Sequence, residues 1–227
     1  MKDKIKKEII AEINSISGAY SPQEVFSDWV RVCSLSICNS VQMNHNEVWH
    51  QREQDYIETL RRYPDGTEYR FAGMFCMLGD LLTEEMTDAL GEIYMETDMG
   101  SKTTGQFFTP FHLSELTAKM AIADPIQSFK AGMTNMITLT EPSCGGGGMI
   151  IATAKVLKDA GINYQRCLDI VAQDLDWKGV YMTYLQCSLL GIRATCVQGD
   201  TLTEPYDAKR TNPRHIMYTP AKMGALI

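Results

Sequence analysis

The chain has 227 residues, a formal net charge of −7 and a hydrophobic fraction of 44%. These values are typical of a globular protein with a sizeable core, and they exclude a disordered or fibrous chain. A protein that binds nucleic acid by itself usually carries a basic surface that neutralises phosphates. The main basic cluster here is a short N-terminal run of lysines, which is more often a solvated helix face. If a nucleic acid is a ligand, we expect a partner to supply much of the binding.

The seven cysteines predict a reducing compartment. Their number is odd, no two have the C-x-x-C spacing, and most lie among apolar residues, so we expect neither a disulfide framework nor a metal site. No apolar run reaches the length of a membrane span, and the N-terminal residues lack the apolar core of an export signal. The sequence therefore predicts a cytoplasmic protein that does not bind membranes.

The first hundred residues are predicted to be helical. Ser21, Pro22 and Glu24 combine an N-cap, a first-turn proline and a capping-box glutamate at the start of one helix. A polar segment bounded by Gly100 and Gly105 predicts a domain boundary. We therefore expect a helical N-terminal region over residues 1–100 and a second domain over residues 101–227.

A further helix is predicted to begin at Thr109 and Pro110. Thr109 would be its N-cap, and Leu113, Leu116 and Met120 would lie on one of its faces. The residues from about 124 to 135 are expected to form a loop.

From Met136 onwards the sequence alternates between strands and helices. The predicted strands cover residues 136–140, 168–173 and 194–198, and each precedes a glycine or an acidic residue. The helices between them end at Gly161 and Gly191. This alternation predicts a parallel α/β sheet.

Ligands of open parallel sheets bind beyond the carboxyl ends of the strands. The first strand is followed by four glycines at 145–148, which allow the backbone to approach a ligand closely. No Lys-Ser/Thr pair follows them, so they do not form a phosphate loop. Glu141 precedes the glycines, and its charge would repel a pyrophosphate but suit a ligand that carries an ammonium and a sulfonium.

The second and third strands end at Asp174 and Asp200. Asp174 could accept hydrogen bonds from two ribose hydroxyls, and Asp200 could accept one from an adenine amino group. For either residue alone, a turn or capping role is the more common explanation. In this order, and together with the glycine loop, they favour an adenosine-type cofactor.

Four segments resemble the N6-adenine DNA methyltransferases, especially the modification subunits of type I restriction systems. Gly105–Pro110 resembles the family's G-Q-F-Y/F-T-P segment, and Glu141–Met149 resembles its D-P-x-C-G-S-G-x-F loop. Ala172–Asp176 and Gly199–Leu202 resemble the G-Q-E-x-D/N and G-D-T-L strand ends. The similarity covers about residues 86 to 207 in the family's order.

The resemblance implies a Rossmann-like S-adenosylmethionine-dependent methyltransferase sheet and methyl transfer to adenine N6 in DNA, as in restriction–modification. The glycine loop would face the methionine part of the cofactor, Asp174 the ribose and Asp200 the adenine. The cofactor-binding residues implied in this way are Gln106, Phe107, Thr109, Pro110, Glu141, Pro142, Cys144, Gly145, Gly147, Asp174 and Asp200.

The family's catalytic motif, N-P-P followed by an aromatic residue, comes after a fourth apolar strand. The nearest match is Asn212-Pro213-Arg214-His215, in which Asn212 would hold the target amine and His215 would stand at the aromatic position. A second register makes residues 215–218 the fourth strand and 219–222 the loop, and that register lacks the asparagine.

The degenerate motif and the short stretch of chain after it support an alternative function. In this alternative the chain is a catalytically inactive S-adenosylmethionine-binding or DNA-modification-like protein that acts through a partner. A nucleotide-binding α/β protein unrelated to methylation would explain the glycines but not the G-Q-F-F-T-P segment. The expected partners are DNA and a further subunit, in a homo- or hetero-oligomer.

Overall fold

A computed structural model of the chain describes residues 2–98 and 108–225. The chain divides into two compact units, one of Met1–Glu85 with Ala89–Phe107 and the other of Met86–Asp88 with Phe108–Ile227. Gln106, Phe107 and the boundary predicted near residue 100 lie outside the described residues, and the boundary stays a prediction.

The first unit contains five helices among its described residues, as the sequence predicts. They are α1 (Lys2–Ile16), α2 (Pro22–Ser40), α3 (Glu47–Leu60), α4 (Thr67–Glu84) and α5 (Ala89–Asp98). The predicted capping box is present at the start of α2, where Ser21 and Glu24 exchange side-chain to backbone hydrogen bonds. In the core, the buried Trp29 donates its indole N–H to the carbonyl of Phe71.

The second unit contains the sheet. Its elements are α6 (Phe111–Ala121), α7 (Ala123–Lys130), β1 (Ile137–Glu141), α8 (Gly148–Asp159), α9 (Tyr164–Cys167), β2 (Leu168–Asp174), α10 (Trp177–Leu189), β3 (Arg193–Gln198) and β4 (Ile216–Tyr218). The strand order is β1-β2-β3-β4. The first three strands are parallel, which confirms the predicted α/β class, and β4 is antiparallel to β3.

The register brings the three predicted strand ends together. Glu141 pairs with Ala172, and Asp174 pairs with Gln198. The first three strands therefore end at one edge of the sheet, which we call the carboxyl edge. Glu141, Asp174 and Asp200 all belong to this edge.

Two predictions about the helices before the sheet are wrong. Pro110, not Thr109, occupies the N-cap position of α6, and no side chain caps this helix. A helix, α7, also forms where a loop was expected, and Pro125 falls in its first turn. A proline is tolerated there, since its missing N–H has no acceptor within the helix.

The predicted apolar stripe of α6 lies on the exposed side of the helix. Leu113, Leu116 and Met120 are 45%, 56% and 76% exposed. The buried residues of this helix are Ser114 and Ala118, whose small side chains allow α6 to pack closely against α8. None of the helices in the described ranges is both long and apolar enough to cross a membrane.

Candidate cofactor site

The glycine loop connects β1 to α8 and has the geometry that only glycine adopts without strain. Gly145 and Gly147 have φ angles of 49° and 92°, and Gly147 is the N-cap of α8. Cys144, at the start of the loop, donates its backbone N–H to the carbonyl of Gln173 over 3.0 Å. The loop is therefore attached to β2, the strand that carries Asp174.

Two side chains of helix α10 donate hydrogen bonds to backbone carbonyls of the glycine loop. The hydroxyl of Thr183 donates to the carbonyl of Gly145 over 2.9 Å, and Nε2 of Gln186 donates to the carbonyl of Gly146 over 2.6 Å. Both side chains are fully buried. Sequence reasoning missed these two residues, although a threonine and a glutamine in an otherwise buried helix are a usable signal, because buried polar groups require partners.

Asp174 links the glycine loop to the start of α10. Its Oδ2 accepts the backbone N–H of Gly145 over 2.8 Å, and its Oδ1 accepts that of Asp176 over 2.9 Å. A carboxylate has about four lone-pair positions, so two remain for the hydroxyls of a ligand. The residue is half-buried and keeps access to solvent.

Glu141 adds a second acid at the same edge. Its Oε1 accepts the backbone N–H of Ser143 over 3.3 Å. Partial burial raises the pKa of Glu141 above its usual range, and the negative charge of Asp174 raises this pKa further. The site therefore favours a positively charged ligand, which would stabilise both carboxylates.

We expect Glu141→Gln to raise the midpoint of thermal unfolding by a few degrees at pH 7. Because the folded state raises the pKa of Glu141, the stability from this residue is complete below its unfolded pKa of 4.5 and is lost as the pH rises through the folded value. Glutamine carries no charge at either pH, so the variant does not lose this stability as the pH rises. The difference in unfolding midpoint between variant and wild type should therefore vanish near pH 4. Thermal unfolding of the ligand-free protein at both pH values is the measurement, and an equal shift at both would contradict the argument.

Asp200 occupies the turn after β3. Its Oδ1 accepts the backbone N–H of Leu202 over 2.9 Å, and this hydrogen bond lowers the pKa of Asp200. The next residue, Thr201, donates its hydroxyl to the carbonyl of Pro142 over 2.6 Å. The ends of β1 and β3 are thus joined across the carboxyl edge, and Asp200 has the turn role that is common for this residue type.

Gln173 holds the chain that follows this turn. Its amide group donates to the carbonyl of Glu204 over 2.8 Å and accepts the N–H of Tyr206 over 3.0 Å. The side chain is 2% exposed. The glutamine next to Asp174 is therefore structural, and it fixes the loop that carries Asp200.

Further predicted cofactor residues lie at the start of the loop and directly after Phe108. Cys144 is buried, and burial raises the pKa of its thiol to about 12, so it remains protonated at neutral pH and is not a nucleophile. A Cβ atom on Gly145 would lie 3.0 Å from the ring of Phe108, which places Phe108 against the loop. Thr109 and Pro110 follow Phe108 and are exposed.

Asn212 begins a 3-10 turn that leads into β4. Its side-chain oxygen accepts the backbone N–H of Arg214 over 3.0 Å, and Pro213–His215 form the turn. The ring of His215 meets Trp177 edge to face, with 6.1 Å between centroids. Ile216 pairs with Val197, so this turn lies at the carboxyl edge.

The second register of the catalytic motif has the correct strand but places its loop at the opposite edge. Thr219 follows β4, accepts the N–H of Ala194 over 2.9 Å and donates to the carbonyl of Ile192 over 2.8 Å. Ala194 lies at the amino end of β3. Residues 219–222 are therefore separated from Glu141 and Asp174 by the length of the strands.

The fold and the carboxyl edge define an α/β protein of the Rossmann-like class, with a glycine loop and an acid at each strand end. The family model for N-6 DNA methylases matches residues 85–221, which is more than half of the chain. The chain belongs to the N-6 DNA methylase family. This membership confirms the resemblance seen in the sequence, and S-adenosylmethionine is accordingly its cofactor.

Other comparisons add little at the sequence level. No curated protein matches the chain. Among solved structures, it is similar to a protein from Listeria monocytogenes described as a class I S-adenosylmethionine-dependent methyltransferase, with 10% identity and a TM-score of 0.47. That match covers 88% of this chain and 55% of the Listeria chain, so the chain spans about half of its length.

Proposed function

We propose that the chain binds S-adenosylmethionine at the carboxyl edge and takes part in methyl transfer to N6 of adenine in DNA. The observation that carries this proposal is the hydrogen bond between Asp174 and the N–H of Gly145, because it joins the glycine loop and the second acidic strand end into one site. When bound, S-adenosylmethionine supplies the methyl group from its sulfonium.

The donors and acceptors of this edge fit the cofactor. Glu141 and Asp174 are acceptors with a negative potential, which suits an ammonium, a sulfonium and ribose hydroxyls. Asp200 lies one strand further along and suits the amino group of adenine. Leu175 and Leu202 follow the two aspartates and are 70% and 94% exposed, so apolar surface is available for a ring.

The other predicted cofactor residues complete the proposal. Gln106, Phe107, Thr109 and Pro110 would close over the methionine end, as the family resemblance implies. Pro142, Cys144, Gly145 and Gly147 would shape the loop beneath it. Their contribution is to bind, to orient and to exclude water, since methyl transfer depends mainly on positioning.

A second candidate function is cofactor or DNA-related binding without turnover, in support of a partner subunit. Two observations favour it. Arg214 stands where the family has its second proline, and β4, the strand that follows Asn212, pairs with β3 at the far side of the sheet from β1. Asn212, Pro213 and His215 are the residues that the first function would use to hold the target base. A restriction–modification system is the proposed setting for either function.

Calorimetric titration of the purified chain with S-adenosylmethionine and S-adenosylhomocysteine tests the shared part of both functions. We expect saturable binding of both compounds. ATP and NAD are the controls, because both carry an adenosine but add phosphates that Glu141 and Asp174 would repel. Tight binding of ATP or NAD without binding of either methionine nucleoside would overturn the proposal.

We expect DNA binding by the chain alone to be weak. The net charge of −7 opposes the approach of phosphates, and phosphate contacts supply most of the non-specific affinity. A mobility-shift assay at physiological salt should show no complex below about 1 μM protein. A sequence-specific complex at nanomolar concentration would contradict this expectation, and a partner subunit that restores binding would support it.

A further inference from the structure

A buried carboxylate from a distant part of the sequence lies against the glycine loop. Asp88 belongs to the same compact unit as the sheet and is 4% exposed. A Cβ atom on Gly146 would lie 2.8 Å from Oδ2 of Asp88, and one on Gly148 would lie 3.1 Å from the same oxygen. The missing Cβ atoms at these two positions therefore give Asp88 the space to lie against the loop, most closely at Gly146, whereas Gly145 and Gly147 are favoured by their φ angles.

One amide group connects Asp88 to the loop backbone. Nε2 of Gln186 donates to Oδ1 of Asp88 over 2.9 Å and to the carbonyl of Gly146 over 2.6 Å. The amide has two N–H groups, so each acceptor takes one of them. Asp88 and Gln186 are 98 residues apart in the sequence.

This arrangement fixes the orientation of the Gly146 peptide. With one N–H bonded to Asp88, the planar amide of Gln186 directs its other N–H at the carbonyl of Gly146. Hydrogen bonds to a carboxylate are stronger than those between neutral groups, and in a buried site they are not exchanged for water. The buried side chains of Asp88 and Gln186 thus stabilise the loop conformation, and they need not contact a ligand.

We infer that Asp88 is a positioning residue for the cofactor loop and acts through Gln186. The inference rests on the proposed function, because it assigns a role in cofactor binding. A loop held in its binding conformation before the ligand arrives loses less conformational entropy on binding. The removal of Asp88 takes away the carboxylate that orients the amide of Gln186 and leaves space next to Gly146 and Gly148, so the loop samples other conformations.

The test compares Asp88→Ala with Asp88→Asn by calorimetric titration with S-adenosylmethionine and S-adenosylhomocysteine. Asp88→Ala should weaken both ligands by the same factor, about tenfold, because the loop and not the ligand charge is affected. Asp88→Asn retains an acceptor oxygen for Gln186 and should stay within about threefold of wild type. The control is Asp28→Ala, which removes another buried carboxylate, one that accepts from Arg62 and Tyr63 in the helical unit. It should lower the unfolding midpoint and leave both affinities unchanged.

Each outcome has a distinct meaning. Wild-type affinity in Asp88→Ala overturns the inference. Equal losses in both Asp88 variants, larger for the cationic S-adenosylmethionine than for S-adenosylhomocysteine, also overturn it and indicate a charge effect. If Asp88→Ala does not fold, Gln186→Met carries the test, since it removes the donor at similar volume and should give the same tenfold loss. A wild-type chain that binds neither ligand overturns the proposed function itself, and the inference with it.

Discussion

Replacement of Asp174 by alanine should weaken S-adenosylmethionine binding by about 1–3 kcal/mol, or roughly 5- to 150-fold. Two losses add. The ribose hydroxyls lose a charged acceptor, and the backbone N–H groups of Gly145 and Asp176 lose the carboxylate that holds them. Calorimetric titration of the folded variant measures the combined effect.

The matched control for this prediction is Asp176→Ala. Asp176 accepts the backbone N–H of Lys178 as the N-cap of α10, so its loss should lower stability by about 1 kcal/mol. Its carboxylate serves the start of α10 and the ammonium of Lys178, so cofactor affinity should change by less than about twofold. If Asp174→Ala binds the cofactor as the wild type does, Asp174 has only the structural role, and the ribose lies elsewhere.

The sequence predicted the strands and their ends because their signals are local. The runs that became β1, β2 and β3 are rich in apolar and β-branched residues, and each ends at or just before a glycine or an acid. The three strands lie within one or two residues of the predicted positions. The carboxyl edge followed from these boundaries together with the rule that parallel strands end at one edge.

The contacts beneath the loop could not be predicted, because they are not local. Asp88 and Gln186 are brought together only when the residues before α5 pack against α10. In the sequence, Asp88 is one acid among many, and Gln186 is one polar residue in an apolar helix. The four glycines were also explained by one cause, close approach to a ligand, whereas two of them make room for Asp88.

The direction of β4 was also beyond sequence reasoning. The strand has only three residues, too few for a period-2 pattern to specify a partner. The buried Thr219 follows the strand, and its hydroxyl accepts from the N–H of Ala194 and donates to the carbonyl of Ile192. These side-chain bonds add to the backbone pairing of β4 with β3, and nothing in the sequence distinguishes Thr219 from other threonines.

The chain alone should show little or no methyl transfer to DNA, and Asn212→Ala should change neither that rate nor cofactor affinity. An adenine amine is a poor nucleophile, so it must be held by acceptors close to the methyl group in a pocket that excludes water. By the family resemblance, the methionine end of the cofactor lies at the glycine loop after β1. Asn212 precedes β4, which lies three strands away from β1.

Neighbouring strands are about 4.8 Å apart, so the start of β4, which lies at the carboxyl edge, is about 14 Å from the end of β1. Asn212 therefore lies beyond the adenine end of the proposed cofactor and not beside its methyl group. Its side-chain oxygen is also occupied as the cap of the turn before β4, through the N–H of Arg214. The first register of the motif thus places its asparagine at the carboxyl edge, before β4 and not after it.

A tritium-transfer assay on unmodified DNA, with the chain alone and with Asn212→Ala, decides between the two proposed functions. Calorimetry should first show that both proteins bind S-adenosylmethionine with equal affinity, so that a loss of methyl transfer cannot come from weaker cofactor binding. Robust transfer to adenine that Asn212→Ala abolishes would show that Asn212 reaches the target base, and would exclude the non-catalytic function. Cofactor binding without transfer, unchanged in the variant, would leave the chain as the cofactor-binding part of a site whose base-holding residues come from elsewhere.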